Sequence, residues 1–580
     1  MLKRFIGCVR EYKKPTILTI IFIVAEVIIE CFIPFITAGL VNSIEAGAEM
    51  AEILKTGVLL VCMAALSLTC GGVAGTTCAK ASAGFAKNMR RDIFHKVQTY
   101  SFENIDKFSS SSLVTRMTTD VANVQMSFMM IIRTAIRAPL MLIFAIIMAY
   151  IMGGPLASTF VVVIPVLVFG LLMVARNAMP AFRRVFKKYD KLNESIEENV
   201  RAMRVVKGFS REEYEKEKFN KAADDIKNDF TKAERIVALN SPLMQICMNF
   251  NMIFVLLVGS RLVITSGGAT VALGEMTAML TYGMQILMQL MMLSMIYVML
   301  TMSVESMKRI YEVLEEKPRL VNPDNAVREV ADGSIVFENV SFKYNENAEK
   351  YALADIDLNI RSGMTVGIIG GTGSSKSSLV QLIPRLYDVS EGCVRVGGID
   401  VREYDIDTLR GAVAMVLQKN LLFSGTIKEN LRWGNENATD EELIEACKLA
   451  QAHDFVMSFE NGYDTKIEQG GTNVSGGQKQ RLCIARALLK KPKILILDDS
   501  TSAVDTKTDA LIRAGFKAFI PETTKIIIAQ RIASVQDADL IIVMENGKIS
   551  DMGNHAELLE KSEIYREVYS QQTNGGEDNE

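Results

Sequence analysis

The chain has 580 residues, of which 49% are hydrophobic and 23% are charged, and its formal net charge is −3. A mean hydropathy of +0.20 is too high for a soluble enzyme, so the composition indicates a membrane part joined to a soluble, charged part. The balanced charge gives no reason to expect a nucleic-acid partner, because nucleic-acid-binding proteins usually carry a concentrated basic surface.

The first element, residues 1–14, predicts a short amphipathic helix on the cytoplasmic face of a membrane. Lysine and arginine side chains surround Phe5, Ile6 and Val9, and this pattern suits the membrane interface. A full-length apolar span follows without a small-residue cleavage site, which argues against a signal peptide.

Residues 15–316 predict a transmembrane domain. A helix needs about 20 mainly apolar residues to cross a bilayer, and six stretches meet this requirement. They lie near residues 15–40, 57–80, 132–153, 155–178, 243–266 and 273–301. Lysine and arginine are concentrated in the connections after the second and fourth spans. The other three connections, near residues 41–52, 152–156 and 266–272, contain neither. The positive-inside rule therefore predicts that both termini and the two long, helical connections lie in the cytoplasm.

Two segments of these cytoplasmic connections, residues 113–120 and 205–212, fall where we expect the chain to reverse direction. One interpretation is that they are ordinary capped turns. The other is that they contact the soluble part of the protein and transmit motion, and the sequence leaves both open.

Two features of the predicted spans suggest a cavity. Glu26 and Glu30 share one face of the first span, and Arg137 lies in the third. Charged side chains are costly inside a membrane, so they usually face an aqueous cavity or one another. We interpret these three as candidate lining of a substrate cavity, with a structural ion pair as the alternative. The sixth span carries a row of methionines between residues 276 and 302, which suits varied apolar ligands or, more commonly, lipid-facing packing.

Residues 317–333 predict a polar linker, and residues 334–570 predict a soluble domain. Short β-branched runs alternate there with helical patterns, which indicates an α/β domain with a largely parallel sheet. We expect the last residues, 571–580, to form a disordered tail.

A phosphate-binding loop begins at Gly370, between a predicted strand and a predicted helix. In this context, backbone N–H groups hold phosphates. Lys376 is expected to reach the β- and γ-phosphates and Ser377 to bind Mg²⁺. Ser375 replaces the last glycine of the pattern, and we expect its β-carbon to crowd the loop. The predicted phosphate-binding residues are Gly370, Gly371, Thr372, Gly373, Ser374, Ser375, Lys376, Ser377 and Ser378.

Further motifs follow the order found in ATP-binding cassette (ABC) transporters. They contain Tyr344, Gln418, the run Ser475-Gly476-Gly477-Gln478, Asp498 and Asp505. With the six spans, the whole chain resembles ABC exporters that consist of a membrane α-helical bundle followed by one α/β P-loop cassette. The Ser-Gly-Gly-Gln run between the phosphate loop and the strand of Asp498 is a highly specific part of this resemblance.

The resemblance implies ATP and Mg²⁺ as ligands. Tyr344 would stack on adenine, and Ser377, Gln418 and Asp498 would bind Mg²⁺. Two cassettes of this family close head to tail, so some residues would contact the ATP held by a partner chain. These are Ser475, Gly476, Gly477, Gln478 and Asp505.

The chain departs from the family pattern at two hydrolytic positions. Asp499 stands where the family typically has a glutamate general base, and Gln530 where it has a histidine. Aspartate is one methylene shorter, and a misplacement near 1 Å can cost on the order of 100-fold in rate. Glutamine can donate a hydrogen bond to a γ-phosphate but cannot take up a proton. We therefore expect a degenerate, weakly hydrolytic ATP site.

The run Ser475-Gly476-Gly477-Gln478, which we call the signature run, is nearly intact, whereas the catalytic site is expected to be impaired. This combination suggests a heterodimer. The chain then resembles the degenerate-site subunit of bacterial multidrug exporters, whose partner chain carries the glutamate and histidine. We expect multi-pass insertion in the cytoplasmic membrane of a bacterium, and an amphipathic or hydrophobic small molecule as cargo. A lipid or peptide exporter is the alternative, followed by an ATP-gated channel.

Overall fold

The computed structural model describes residues 2–266, 271–345, 348–499 and 504–574. The chain divides into two units, which we call the membrane unit and the cassette unit. The membrane unit comprises Met1–Thr99 and Ser109–Glu316, and the cassette unit comprises Tyr100–Phe108 and Lys317–Glu580. The cassette unit thus includes the predicted linker, 317–333, and a short segment, 100–108, that we predicted as part of the transmembrane domain.

Helices make up nearly all of residues 2–316. In chain order they are α1 (Leu2–Gly7), α2 (Lys13–Glu45), α3 (Met50–Gln98), α4 (Phe102–Phe108), α5 (Ser110–Thr115), α6 (Val121–Gly153), α7 (Thr159–Arg201), α8 (Met203–Gly208), α9 (Glu212–Val237), α10 (Asn240–Ser266) and α11 (Leu273–Glu315). Short 3₁₀ turns lie at Arg10–Tyr12 and Gly154–Ser158, and a π-helical turn lies at Arg116–Asp120.

The six predicted spans are confirmed. Six helical stretches of the described residues are long and apolar enough to cross a membrane: Arg10–Glu45, Met50–Gln98, Ser110–Gly153, Leu156–Arg201, Glu212–Ser266 and Leu273–Glu315. The second stretch has 49 residues, which is about 70 Å of helix and far more than a bilayer of about 30 Å requires. The spans therefore continue as long helices beyond the apolar layer, as their charged connections predicted.

Small residues allow the spans to pack closely. Ala145 and Ala149 of α6 are fully buried in the same cluster as Tyr282 of α11. At the start of α11, the N–H of Gly274 donates to Oδ1 of Asn42 at 2.7 Å, and a β-carbon on this glycine would collide with the carbonyl oxygen of Ala38. Close contact through small residues is the usual way in which membrane helices associate.

The expected chain reversal at residues 113–120 is wrong. This segment lies within the continuous helical stretch Ser110–Gly153, and the chain reverses earlier, around α4. Asp120 is fully buried and accepts hydrogen bonds from Arg309 Nε at 2.7 Å and Ser306 Oγ at 2.9 Å. The segment lacks a helix breaker, so its turn-like polar residues serve contacts between α6 and α11 instead.

The expected reversal near residues 205–212 is confirmed. Helix α7 ends at Arg201 and α9 begins at Glu212, and the two helices pack side by side. Lys188 Nζ lies 2.7 Å from Asp229 Oδ2, and Asn199 donates to Glu215 at 2.9 Å. Helix α8 occupies the turn between them.

The cassette unit contains strands β1 (Ile335–Phe342), β2 (Leu353–Ile360), β3 (Thr365–Gly370), β4 (Glu391–Val396), β5 (Ile399–Asp400), β6 (Val413–Val416), β7 (Gly425–Thr426), β8 (Lys466–Ile467), β9 (Ile494–Asp498), β10 (Thr524–Ile528), β11 (Leu540–Glu545) and β12 (Lys548–Gly553). Its helices are α12 (Lys376–Gln381), α13 (Ile406–Ala412), α14 (Ile427–Arg432), α15 (Asp440–Leu449), α16 (His453–Met457), α17 (Gly476–Leu488), α18 (Thr506–Phe519), α19 (His555–Lys561) and α20 (Glu563–Asn574).

A six-stranded sheet in the order β12-β11-β3-β10-β9-β6 forms the centre of the cassette. All its neighbouring strands are parallel except β11 and β12, which confirms the largely parallel sheet. Strands β9 and β10 are buried at every position, because helices cover both faces of such a sheet. A separate antiparallel sheet has the order β2-β1-β4-β5.

The sheet topology brings three chain segments to one edge. Strand β3 leads into the phosphate loop, β9 ends at Asp498, and β10 ends two residues before Gln530. The strands are parallel neighbours, with Ile528 in register with both Ile368 and Asp498. Ligands of open α/β sheets bind at this carboxyl edge.

The C-terminal boundary differs from the expected one. Helix α20 continues to Asn574, so residues 571–574, which we predicted as the start of a disordered tail, are helical. Residues 575–580 of that predicted tail lie outside the described residues.

Candidate nucleotide-binding site

The phosphate-binding loop joins β3 to α12 and holds its own lysine. Lys376 Nζ donates to the carbonyl oxygens of Gly370 and Gly371, both at 2.8 Å, and to Ser374 Oγ at 3.2 Å. Burial lowers the pKa of Lys376, against the opposite effect of Asp498 and Asp499. The ammonium group is thus kept inside the loop, at the position from which it can turn to a phosphate.

Ser375 has the backbone conformation of the glycine that it replaces. Its φ and ψ are 69° and 26°, in the left-handed region. A non-glycine residue pays roughly 1–2 kcal/mol there because its β-carbon approaches the following carbonyl oxygen. The loop is formed nevertheless. The free-energy cost of Ser375 is therefore the strain of its own backbone conformation.

Two buried carboxylates lie at the carboxyl end of β9. Asp498 is 4% exposed and Asp499 is 9% exposed. Ser377 Oγ, on the first turn of α12, donates to Asp498 Oδ1 at 3.0 Å. Burial raises the pKa of Asp498; the hydrogen bond from Ser377 lowers it, and the neighbouring Asp499 raises it further.

These residues fit a magnesium ion. A hydroxyl and a carboxylate 3.0 Å apart at the end of the phosphate loop are the hard oxygen ligands that Mg²⁺ prefers. Ser377 and Asp498 would hold the ion, with the side-chain amide oxygen of Gln418 as a further ligand. When bound, Mg²⁺ would neutralise charge on the β- and γ-phosphate oxygens.

Asp499 and Gln530, the two positions that we predicted to be altered for hydrolysis, contact each other directly. Gln530 Nε2 donates to Asp499 Oδ2 at 2.7 Å, and Gln418 Nε2 donates to the same oxygen at 3.4 Å. The carboxylate oxygen that a general base would offer to water therefore already accepts two amide hydrogens. Asp499 has a φ of 49°, a region in which aspartate is one of the better-tolerated non-glycine residues.

Tyr344 lies beside the phosphate loop. Its hydroxyl is 2.8 Å from Ser378 Oγ and 3.3 Å from Gln381 Oε1, both on α12. Its ring packs edge-on against Tyr387 with centroids 5.2 Å apart. Burial raises the pKa of this phenol, and the ring is 43% exposed, which leaves surface for the predicted stacking on adenine.

The signature run begins α17. Ser475 Oγ accepts from the N–H of Gln478 at 3.3 Å, and Gln478 Oε1 accepts from the N–H of Ser475 at 2.9 Å. This reciprocal capping box uses both polar side chains of the run and leaves Gly476 exposed at the helix start.

Asp505 is the N-cap of α18, and its Oδ1 accepts from the N–H of Thr508 at 2.9 Å. Hydrogen bonds from Thr508 hold the pKa of Asp505 below its usual value. Asp505 ends the run Ser502-Ala503-Val504-Asp505, which resembles a motif of the ABC family; Ser502 and Ala503 lie outside the described residues.

Gln572, which the sequence did not indicate, also contacts the site. Its side chain, on α20, bonds to the backbone of Gln530 and of Ile532. No local pattern signals this contact, because it joins a helix and a loop about forty residues apart in the chain.

The three charged residues that we predicted as candidate cavity lining also meet. Arg137 Nη2 lies 2.6 Å from Glu30 Oε2 and 3.7 Å from Glu26 Oε1. Gly71 of α3 makes room for the cluster, since a β-carbon there would lie 3.0 Å from Glu26 Oε1. The guanidinium of Arg137 pairs with both carboxylates and leaves each side chain partly exposed within the described residues.

Comparisons with known proteins agree with this architecture. The family described as "ABC transporter transmembrane region" matches residues 16–291, and the family "ABC transporter" matches residues 353–502. "Uncharacterized ABC transporter ATP-binding protein YfiB" of Bacillus subtilis is 34% identical over 571 residues, 98% of each chain. An uncharacterized ABC transporter ATP-binding protein of Mycobacterium tuberculosis is also 34% identical, over 97% of each chain.

Two further matches concern cargo and fold. A Mycobacterium bovis protein named "Fatty acid ABC transporter ATP-binding/permease protein" is 32% identical over 83% of this chain and 75% of its own length. A solved structure of a bacterial Atm1-family ABC exporter with ATP bound has the same fold, with a TM-score of 0.83, 22% identity, and coverage of 97% of this chain and 98% of that one. The chain therefore belongs to the ABC transporter family, as a multi-pass half-transporter with an exporter fold whose cassette couples ATP to transport.

Proposed function

We propose that this chain exports an amphipathic or hydrophobic small molecule across the cytoplasmic membrane, as the degenerate-site subunit of a heterodimer. The observation that carries the proposal is the hydrogen bond of 2.7 Å between Gln530 and Asp499. Both hydrolytic positions are altered, and their side chains engage each other.

Each of the two side chains supports the proposal of weak hydrolysis. Asp499 is short for a general base, and its Oδ2 already accepts amide hydrogens from Gln530 and Gln418. Gln530 has no proton-accepting ring nitrogen, so it cannot take up a proton in the transition state. General-base catalysis contributes about 10²–10⁴-fold, and we expect most of that factor to be lost.

ATP binding is expected to depend mainly on other residues. The loop from Gly370 and the Lys376 ammonium bind the phosphates, and Ser377 with Asp498 holds the metal. We propose that this nucleotide is retained while the cassettes close, and that Ser475–Gln478 complete the ATP site of the partner chain. The spans then switch between inward-facing and outward-facing states.

Exposed apolar side chains at the turn around α8 support a partner subunit. Val205, Phe209 and Tyr214 are 57%, 77% and 58% exposed, and they lie on a charged helical segment expected in the cytoplasm. Apolar clusters of this kind mark interaction surfaces. We propose that the partner's cassette covers them.

The charges and the methionines favour a neutral or cationic cargo. Glu26 and Glu30 pair with Arg137, and the charge of Arg133 also acts on Glu26, so this cluster offers no excess positive charge to an anionic cargo. Met284, Met288 and Met295 of α11 are exposed and suit varied apolar ligands. A lipid exporter is the second candidate, because a relative is named a fatty acid transporter.

ATPase assays of the full-length chain test the degenerate site. We expect the chain alone, in phosphatidylethanolamine and phosphatidylglycerol vesicles, to bind Mg·ATP but to hydrolyse it at least about 100-fold more slowly than the Asp499→Glu/Gln530→His variant. Asp499→Glu alone should recover only a small part, because Gln530 remains. The control Lys376→Ala should lose ATP binding.

Brisk hydrolysis by the unmodified chain alone would contradict the proposal. A large recovery of ATP hydrolysis from Asp499→Glu without the second substitution would also contradict it, because Gln530 would then not limit hydrolysis. Uptake into inside-out vesicles of tetraphenylphosphonium or of a long-chain fatty acid, with the partner chain present, distinguishes the two candidate cargoes.

A further inference from the structure

Helix α20 lies against the loop that follows β10, and contacts with the core of the cassette hold it there. Tyr565 is fully buried, and its hydroxyl is 2.6 Å from His555 Nδ1. Val568 and Tyr569 pack against the hydrophobic core that contains β9 and β10 residues. These anchors in the first two turns set where the last turn, with Gln572, must lie.

Gln572 binds the backbone of that loop at two points. The N–H of Ile532 donates to Gln572 Oε1 at 2.8 Å, and Gln572 Nε2 donates to the carbonyl oxygen of Gln530 at 2.8 Å. A primary amide offers one acceptor and two donors, so it pairs with the loop much as a neighbouring strand would.

The rest of the loop explains why such a pairing is needed. Ile532 is 1% exposed, and Ser534 Oγ donates to the buried Asp509 at 2.9 Å, so the loop is anchored on its C-terminal side. Gln530 and Arg531, in contrast, are exposed. On the N-terminal side, the N–H of Ala529 donates to the carbonyl oxygen of Ile368 at 3.2 Å. Gln572 holds the exposed stretch between these two anchors, which is the backbone that aims the Gln530 side chain at Asp499.

We propose that Gln572 is a positioning residue: it holds the loop Ala529–Ile532 so that the Gln530 side chain stays against Asp499 and within reach of the γ-phosphate. This inference deepens the proposed function and rests on the role given there to Gln530. It concerns backbone contacts, so it applies equally when a different side chain stands at position 530.

Amide hydrogen exchange of the full-length chain tests the contact itself. Gln572→Ala should make the Ile532 amide exchange at least about 10-fold faster, because its acceptor is removed. Gln571→Ala is the matched control, since Gln571 donates only to Glu567 of its own helix in the described structure, at 3.1 Å. Equal exchange of Ile532 in both variants would overturn the proposal.

Kinetics test the positioning role. In the Asp499→Glu/Gln530→His background, Gln572→Ala should lower kcat on the order of 10-fold and leave KM for ATP within about two-fold. In the Asp499→Glu/Gln530→Ala background the same substitution should have no further effect, because it acts through residue 530. An unchanged kcat in the first background, or an equal loss in both, would overturn the role.

ATP release separates this inference from the proposed function. If the Asp499→Glu/Gln530→His background failed to hydrolyse ATP, the degenerate-site assignment would be wrong. Gln572→Ala in the otherwise unmodified chain is still expected to release bound Mg·ATP about 3- to 10-fold faster than Gln571→Ala, because Gln530 loses its contact with the γ-phosphate. Equal release rates would overturn the positioning role.

Discussion

At the residue scale, the phosphate loop shows how a family pattern tolerates a substitution. Ser375 takes the left-handed conformation, φ 69°, that a glycine would adopt without cost. The neighbouring contacts of Lys376 with the loop carbonyls are formed all the same. We therefore expect the cost of Ser375 to fall on folding and not on ATP affinity, in contrast to the crowding that the pattern alone suggested.

Substitution of Ser375 tests this distinction. Ser375→Gly should raise the free energy of unfolding of the cassette by about 0.5–1 kcal/mol, because the left-handed penalty is relieved. The Kd for Mg·ATP should stay within about two-fold. Thermal unfolding and ATP titration measure the two quantities, with Ser375→Ala as the control that removes the hydroxyl but keeps the β-carbon. A large gain in affinity in the glycine variant would show that the β-carbon does crowd the phosphates.

At the element scale, α4 is the part of the chain whose place hydropathy did not predict. Tyr387 donates from its hydroxyl to Asp106 at 2.8 Å, and its ring lies 6.1 Å from that of Phe102. Asn104 donates to the carbonyl oxygen of Lys317 at 3.1 Å. The ring of Tyr387 also packs on Tyr344, so a line of contacts runs from α4 to the predicted adenine site.

Removal of one hydroxyl tests how α4 is held. Tyr387→Phe keeps the ring but removes a hydrogen bond to a carboxylate, a contact worth about 1.5–3 kcal/mol. Amides of residues 101–108 should exchange faster, and ATP affinity should not change. Tyr351→Phe is the control, because Tyr351 makes an equivalent bond of 2.9 Å to Glu391 elsewhere on the cassette. Equal protection of α4 in both variants would contradict the prediction.

The elements also show why sequence patterns succeed or fail. The spans could be predicted from the length of the apolar stretches, and strands such as β9 and β10 from short β-branched runs, because both signals are local. The reversal at 113–120 failed because its polar residues resemble a turn, whereas Asp120 is in fact buried against Arg309 and Ser306 of α11. The reversal near α8 succeeded because charged helical patterns flank it on both sides.

At the scale of the whole molecule, the charge cluster of the spans bears on transport. Arg137 of α6 pairs with Glu30 and lies near Glu26, both of α2. Side chains between about a seventh and a third exposed are open enough to meet a ligand and buried enough to hold two helices together. The sequence left both roles open, and the pairing makes them separable by experiment.

Charge removal separates the two roles. Arg137→Gln should destabilise the detergent-solubilised protein by about 1–3 kcal/mol, because two carboxylates lose their counter-ion. The Glu30→Gln/Arg137→Gln double variant should regain most of that stability. Thermal unfolding gives the comparison, and the exposed Arg261 of α10 provides the control variant, Arg261→Gln. If the double variant were as unstable as the single one, the ion pair would not be the cause.

The linear chain already determined the membrane bundle and the cassette, and it predicted the residues of the nucleotide site, because apolar length and consecutive motif residues are local properties. The alteration at Asp499 and Gln530 was predicted in the same way. Their hydrogen bond, the pairing of Arg137 with Glu30, the docking of α4 and the contact of Gln572 with the loop after β10 depend on residues brought together from distant parts of the chain. Packing and strand order decide such contacts, and neither can be predicted from a short stretch of residues.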